Sequence, residues 1–184
     1  MNKQIVVYTS ETGFTRKYAG WIAEELGCEA MDMKEWRRRN PADYQTVIYG
    51  GGFYAGRIKG LKKMKEQMKK YPGIRFIVFG TGATPAEEAA IVKKAMDMNF
   101  TEEERKKIPA FYFQSGLNYE KMSLKYRLMM KGFVSMLRKK ADPSEEDKVM
   151  MKMVAHSYDC CNRDNIRELI NNSENGGQKG LTPM

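Results

Sequence analysis

Gln4 to Thr15 reads QIVVYTSETGFT, and this stretch decides the fold. Ile5, Val6, Val7 and Tyr8 make an unbroken apolar run rather than an alternating one, the composition of a strand buried on both faces. The polar loop Thr9 to Gly13 ends it. From about Thr15 to Leu26, Tyr18, Ile22 and Leu26 recur every fourth residue with Ala19 and Ala23 beside them, which predicts a helix that Gly27 closes. A buried strand, a hydroxyl-rich turn and an amphipathic helix begin a βαβ unit.

The same grammar repeats downstream. Glu29 to Met33 reads as a short edge strand. Thr46 to Tyr49 (TVIY) is a buried strand running into Gly50-Gly51-Gly52. Leu61, Met64, Met68 and Tyr71 mark one face of a Lys-rich helix that Pro72-Gly73 stops. Ile74 to Phe79 (IRFIVF) is another core strand, followed by Gly80-Thr81-Gly82 and a helix from about Pro85 to Met98. Ile108 to Phe113 is the last strand. Crossovers long enough for helices imply a parallel sheet covered on both faces, an α/β domain. Beyond it, Ser123 to Lys140 predicts one basic helix, with Leu124, Leu128, Phe133 and Leu137 on a broad apolar face. Asp142-Pro143-Ser144 breaks it, Ser144 caps a helix from Glu145 to Ala155, and Asp164 to Ile170 forms a final helix. Asn171 to Met184 has the composition of a flexible end, so the domain is expected to span 1–172 and a tail 173–184.

Thirty-two Lys/Arg against 23 Asp/Glu leave a net charge of +9, which suggests an acidic partner: nucleic acid, an anionic membrane surface or a polycarboxylate. No zinc-finger spacing, RNP-like strand or basic zipper supports nucleic acid. No apolar run reaches the ~20 residues of a bilayer span. The start of the chain reads as a strand rather than a secretory signal, so a cytoplasmic location is expected, with attachment to the inner face of the membrane left open. Cys28, Cys160 and Cys161 have neither disulfide nor zinc spacing and are expected to be reduced, ordinary thiols. His156 has no partner histidine and reads as a surface or boundary residue. No metal site is expected.

In a doubly wound sheet the ligand crevice lies beyond the carboxyl ends of the strands, and three loops there carry the candidate chemistry. The first is Ser10-Glu11-Thr12-Gly13-Phe14-Thr15. Its hydroxyls, a glycine for the tight turn and the amides of a helix N-terminus suit a phosphate, although a capping turn would also explain the string. It is neither a Walker loop nor a dinucleotide fingerprint. The second is Gly50-Gly51-Gly52-Phe53-Tyr54-Ala55-Gly56, where glycines admit a flat ligand and two rings can stack on it, or where aromatics simply pack a turn. The third is Gly80-Thr81-Gly82-Ala83-Thr84. Their joint placement at one end of a parallel sheet is the signal. Glu87 and Glu88 open a helix, where acids suit the dipole, and read as structural.

On Ser10 to Thr15 the sequence resembles the flavodoxin family. Phe113-Gln114-Ser115-Gly116-Leu117-Asn118-Tyr119, followed by Lys125-Tyr126-Arg127-Leu128-Met129-Met130-Lys131, looks like the branch of menaquinone-dependent protoporphyrinogen dehydrogenases. The resemblance implies a three-layer sandwich with a five-stranded parallel sheet of order 2-1-3-4-5 and extra C-terminal helices. It implies FMN as cofactor, its phosphate held by Ser10 to Thr15. Its ring would be flanked by Gly51, Gly52, Phe53, Tyr54, Ala55 and Gly56 on one side and by Gly80, Thr81, Gly82, Ala83 and Thr84 on the other. The expected function is an FMN-dependent oxidoreductase exchanging electrons with a quinone, porphyrinogen or similar aromatic compound. A flavodoxin-type carrier serving another redox protein, or an FMN-binding domain without turnover, are the alternatives. Flavin chemistry asks little of side chains, so no catalytic base or nucleophile is named.

Overall fold

The computed structural model describes residues 3–144, 147–148, 151 and 154–175. The core is a parallel sheet in the spatial order β2 (Glu29–Asp32), β1 (Gln4–Thr9), β3 (Thr46–Tyr54), β5 (Arg75–Gly82), β6 (Ala110–Gln114), with β4 (Arg57–Ile58) turned back antiparallel on β3. With that short hairpin strand set aside, this is the expected order 2-1-3-4-5. Helices α1 (Phe14–Glu25), α2 (Met33–Trp36), α3 (Leu61–Met68), α4 (Ala89–Asp97) and α5 (Glu102–Lys107) connect the strands. After β6 come β7 (Gly116–Leu117), α6 (Leu124–Arg138), β8 (Tyr158–Asp159) and α7 (Arg167–Asn175), with β7 and β8 paired antiparallel.

The apolar runs split by parity, as a pleated strand requires. Ile5, Val7, Val47, Tyr49, Phe76 and Val78 face one side with Trp36, Leu61 and Met64. Val6, Ile48, Ile77 and Phe79 face the other with Tyr18, Ile22, Phe113, Ile166 and Leu169. Tyr18 ties two segments to the second layer. Its hydroxyl donates to the Gln114 carbonyl (2.5 Å) and accepts from the Asn162 amide and Asn165 Nδ2, each at 3.2 Å.

Four expectations need correction. The strand expected to stop at Tyr49 continues to Tyr54, and the next continues to Gly82, so most of the second and third glycine-rich loops is sheet. The glycines are there for room: a Cβ on Gly50 would lie 2.0 Å from the Phe79 ring, and one on Gly80 would lie 2.4 Å from Phe53. The helix expected from Pro85 starts at Ala89, because Pro85 to Glu88 forms a turn first, with Glu88 at the N-cap. The flexible end expected from 171 or 173 does not start at either residue. Helix α7 runs to Asn175, and buried Ser173 donates to Gln4 Oε1 at 2.6 Å. Residues 176–184, and much of the helix expected over 145–155, lie outside the described residues.

Helix α5 was not anticipated, although Thr101 and Glu104 spell its capping box. No helix among the described residues is long and apolar enough to cross a membrane.

Candidate functional site

The chain leaves β1 for β2 on one side and returns to β3 on the other, so the loop after β1 sits at the topological switch point. There the backbone makes a sharp entry into α1. Gly13 holds φ +100°, a left-handed conformation that only glycine adopts freely, and a Cβ there would meet nothing within 4 Å. The demand is thus conformational rather than steric. Gly13 N–H donates to Ser10 Oγ at 3.2 Å, and no side chain caps α1. Its first-turn amides are left for an outside acceptor. Buried Thr15 and Thr81 share a hydrogen bond of 2.8 Å between their hydroxyls, which joins the first loop to the end of β5.

A cleft of about 90 Å³ opens between these elements, lined by Glu11, Thr12, Phe14, Thr15, Gly52, Phe53, Tyr54, Thr81, Gly82 and Ala83. Other expected residues stand near it without lining it. Ser10 and Gly13 shape the first loop. Gly51 lies against the backbone of Lys59, where a Cβ would come within 2.5 Å of the carbonyl oxygen. Ala55 and Gly56 form the two-residue turn between β3 and β4. Gly80 makes room for Phe53, and the Thr84 carbonyl accepts from the Tyr112 hydroxyl at 2.7 Å.

Sequence reasoning missed the fourth wall: Ser115, Gly116, Leu117, Asn118 and Met122 also line the cleft. The signal was present in the Phe113 to Tyr119 string. Its placement depends on β8, some forty positions on, whose Tyr158 carbonyl passes so close that a Cβ on Gly116 would lie 2.1 Å away. Also missed was the cluster at the cleft mouth. Tyr126 of α6 packs on Tyr54 with ring centroids 4.2 Å apart and 39° between planes. Lys59 Nζ lies 5.2 Å from the Tyr54 centroid and 5.1 Å from that of Tyr126, and pairs with the Glu11 carboxylate. Burial opposes ionisation of Glu11. Hydrogen bonds from Lys59 and Ser123 outweigh it and hold the carboxyl below its ordinary value. Burial, with Glu11 nearby, pushes the Tyr54 phenol up, so it stays neutral.

The flavodoxin-domain family model matches residues 5–144, more than half of the chain and including every strand of the parallel sheet. The chain belongs to the flavodoxin-domain family. No protein with a curated description matches it. Among solved structures, it is similar to a flavoprotein in complex with FMN from Lactobacillus acidophilus, at 16% identity and TM-score 0.40 over 62% of this chain and 93% of that one. A WrbA-like flavodoxin from Agrobacterium tumefaciens aligns at 15% identity and TM-score 0.39, over 61% and 83%. The Trp repressor binding protein from Bacillus subtilis aligns at 11% and 0.40, over 76% and 100%.

Membership of this family supports FMN as the cofactor, and the residues present fit it. The phosphate end fits directly: uncapped amides and neutral hydroxyls, on a turn that glycine alone enters without strain, are a donor set for a dianion. Phe53 and Tyr54 line the other part of the cleft, and Tyr126 packs on the Tyr54 ring. At about 90 Å³ the cleft is well below the ~300–1,000 Å³ of ordinary small-molecule pockets, so a tricyclic ring needs the cleft to widen.

No cluster of His, Cys, Asp or Glu among the described residues could hold a metal. The cysteines are free thiols, with burial pushing Cys28 up to about 11 and Cys161 up to about 12. His156 is exposed.

Proposed function

We propose that this flavodoxin-domain protein is an FMN-dependent oxidoreductase that exchanges electrons with a quinone, porphyrinogen or similar planar aromatic compound. This is the chemistry of the protoporphyrinogen dehydrogenase branch that its 113–131 segment resembles. The observation that carries the reading is the Tyr54–Tyr126–Lys59 cluster: two packed rings and a cation beside the cleft, one ring supplied by the helix inserted after β6.

Bound FMN would supply the one- and two-electron chemistry, and the chain's part is to bind, orient and tune. The turn at Gly13 and the hydroxyls of Ser10, Thr12 and Thr15 would hold the phosphate. Phe53 and Tyr54 would present aromatic faces to the ring. Lys59 would place positive charge beside it and favour electron uptake. Tyr126, packed on Tyr54, would move with that ring and shape the approach of a planar substrate. The net charge of +9 fits anionic substrates such as a polycarboxylate better than a basic redox partner.

The test is anaerobic. FMN-loaded protein, reduced and then mixed with menaquinone analogues, or oxidised and mixed with protoporphyrinogen, should turn over at one or more of these compounds. Tyr126→Ala should change KM more than kcat. Failure with every small aromatic compound, together with rapid exchange with a redox protein such as a rubredoxin or ferredoxin, would make the chain an electron carrier instead.

A further inference from the structure

Helix α6 has two apolar faces. At 100° per residue, Tyr126, Met130, Phe133, Val134 and Leu137 fall within an arc of about 100°, and all are partly or fully buried. Leu124, Leu128, Met129 and Met136 occupy a second arc of about 140°, and they are 72%, 58%, 48% and 56% exposed. Elsewhere among the described residues the exposed large apolar side chains are Ile91 and Met98. Lys125 and Lys139 project from within the outer arc, and Lys131 and Arg138 line its edge. From 121 to 140 there are seven Lys/Arg and no acid. These four cations make no ion pair among the described residues.

A fold with ordinary helices elsewhere does not leave four large apolar groups on one surface without a use. A second copy of the chain would bring two acid-free basic helices together, which charge opposes. An anionic bilayer meets both features at once: acyl boundary for the leucines and methionines, headgroup charge for the lysines, whose stems reach upward while the apolar row sinks. We infer that the outer face of α6 is a docking surface that lays this helix, about 22 Å long, in the interface of an anionic lipid membrane. The inner face of the same helix carries Tyr126, so docking sets the cleft mouth beside the bilayer. The inference stands whether or not the cleft holds FMN.

Co-sedimentation of the full chain without added flavin tests it, using vesicles of phosphatidylglycerol with phosphatidylcholine against phosphatidylcholine alone. Binding is expected with the anionic vesicles, and not with neutral ones. Salt at 1 M should strip it, because the Debye length falls to about 3 Å. Changing Lys125, Lys131, Arg138 and Lys139 to Gln should lower the partition coefficient by about two orders of magnitude or more, near five-fold per charge. The same number of charges removed from Arg38, Lys62, Lys63 and Lys70 should lower it much less. Leu124→Ser with Leu128→Ser and Met136→Ser should also release the protein with every charge retained, and circular dichroism should be unchanged because these side chains are exposed. Absence of binding to anionic vesicles would overturn the proposal, as would equal loss in the control variant or full binding by the serine variant. A concentration-dependent dimer without lipid that the serine variant abolishes would assign the face to a second copy instead.

Discussion

Gly13 is the residue on which the loop proposed to hold the phosphate turns, since its φ of +100° meets no crowding and asks only for the freedom glycine has. Gly13→Val should strain the backbone by ~1–3 kcal/mol and weaken FMN binding about ten-fold or more, as read by flavin fluorescence. Lys59 acts by charge. It sits between two rings and against Glu11, so Lys59→Met should shift the flavin midpoint about 30 mV more negative, ~1.4 kcal/mol for a two-electron couple. An unchanged redox titration would assign Lys59 to packing. Glu11 links the loop to α6 through Ser123, and its depressed pKa means that the folded state favours the ionised carboxylate. That contribution is complete above the ordinary glutamate value of ~4.3 and is lost as pH falls through the lower folded value. The hydrogen-exchange protection factors at the first turn of α6, measured against intrinsic rates at each pH, should fall in that acid range. In Glu11→Gln the protection of these amides relative to their intrinsic exchange rates should be low throughout, with little change across that range.

At the scale of elements, the β3–β4 hairpin positions Phe53, Tyr54 and Lys59. Its turn, Ala55-Gly56, has both residues at positive φ, 48° and 75°, the signature of a type I′ turn in which alanine is a poor first residue. Ala55→Asn should stabilise by ~0.5–1 kcal/mol, raising Tm by about 2–4 °C. An unchanged or lower Tm would mean that the turn carries no such strain. The hairpin is anchored by Asn99, which is 8% exposed. Its Oδ1 accepts from the Ile58 amide at 2.8 Å, and its Nδ2 donates to the carbonyls of Gly56 and Ala95 at 2.8 and 2.7 Å. Asn99→Ala leaves those groups unsatisfied and should cost ~2–3 kcal/mol in denaturant unfolding, loosening the Tyr54 side of the cleft.

Across the whole molecule, what was legible in the sequence was what is local. The runs QIVVY, TVIY and IRFIVF declare a doubly buried parallel sheet because each is apolar at both parities, and SETGFT sits between a strand and a helix where phosphate loops belong. Strand ends were misread because Gly50 and Gly80 look like loop residues. They are sheet residues emptied to admit Phe79 and Phe53, a packing relation between strands that spacing along one strand cannot show. The cleft's fourth wall and the Tyr54–Tyr126 pair escaped for the same reason, since each joins segments tens of residues apart. The loops' common place at one end of the sheet was legible, and the packing of Tyr126 of α6 on Tyr54 was not. The central claim is that this fold holds FMN by its phosphate at the Ser10 to Thr15 turn. Titrating the protein with FMN and with riboflavin, followed by flavin fluorescence, tests it most directly. One FMN should bind per chain about a hundred-fold or more tighter than riboflavin, because charge-assisted hydrogen bonds of ~1.5–3 kcal/mol each are lost with the phosphate. Equal affinity for the two flavins, or no binding of either, would contradict it.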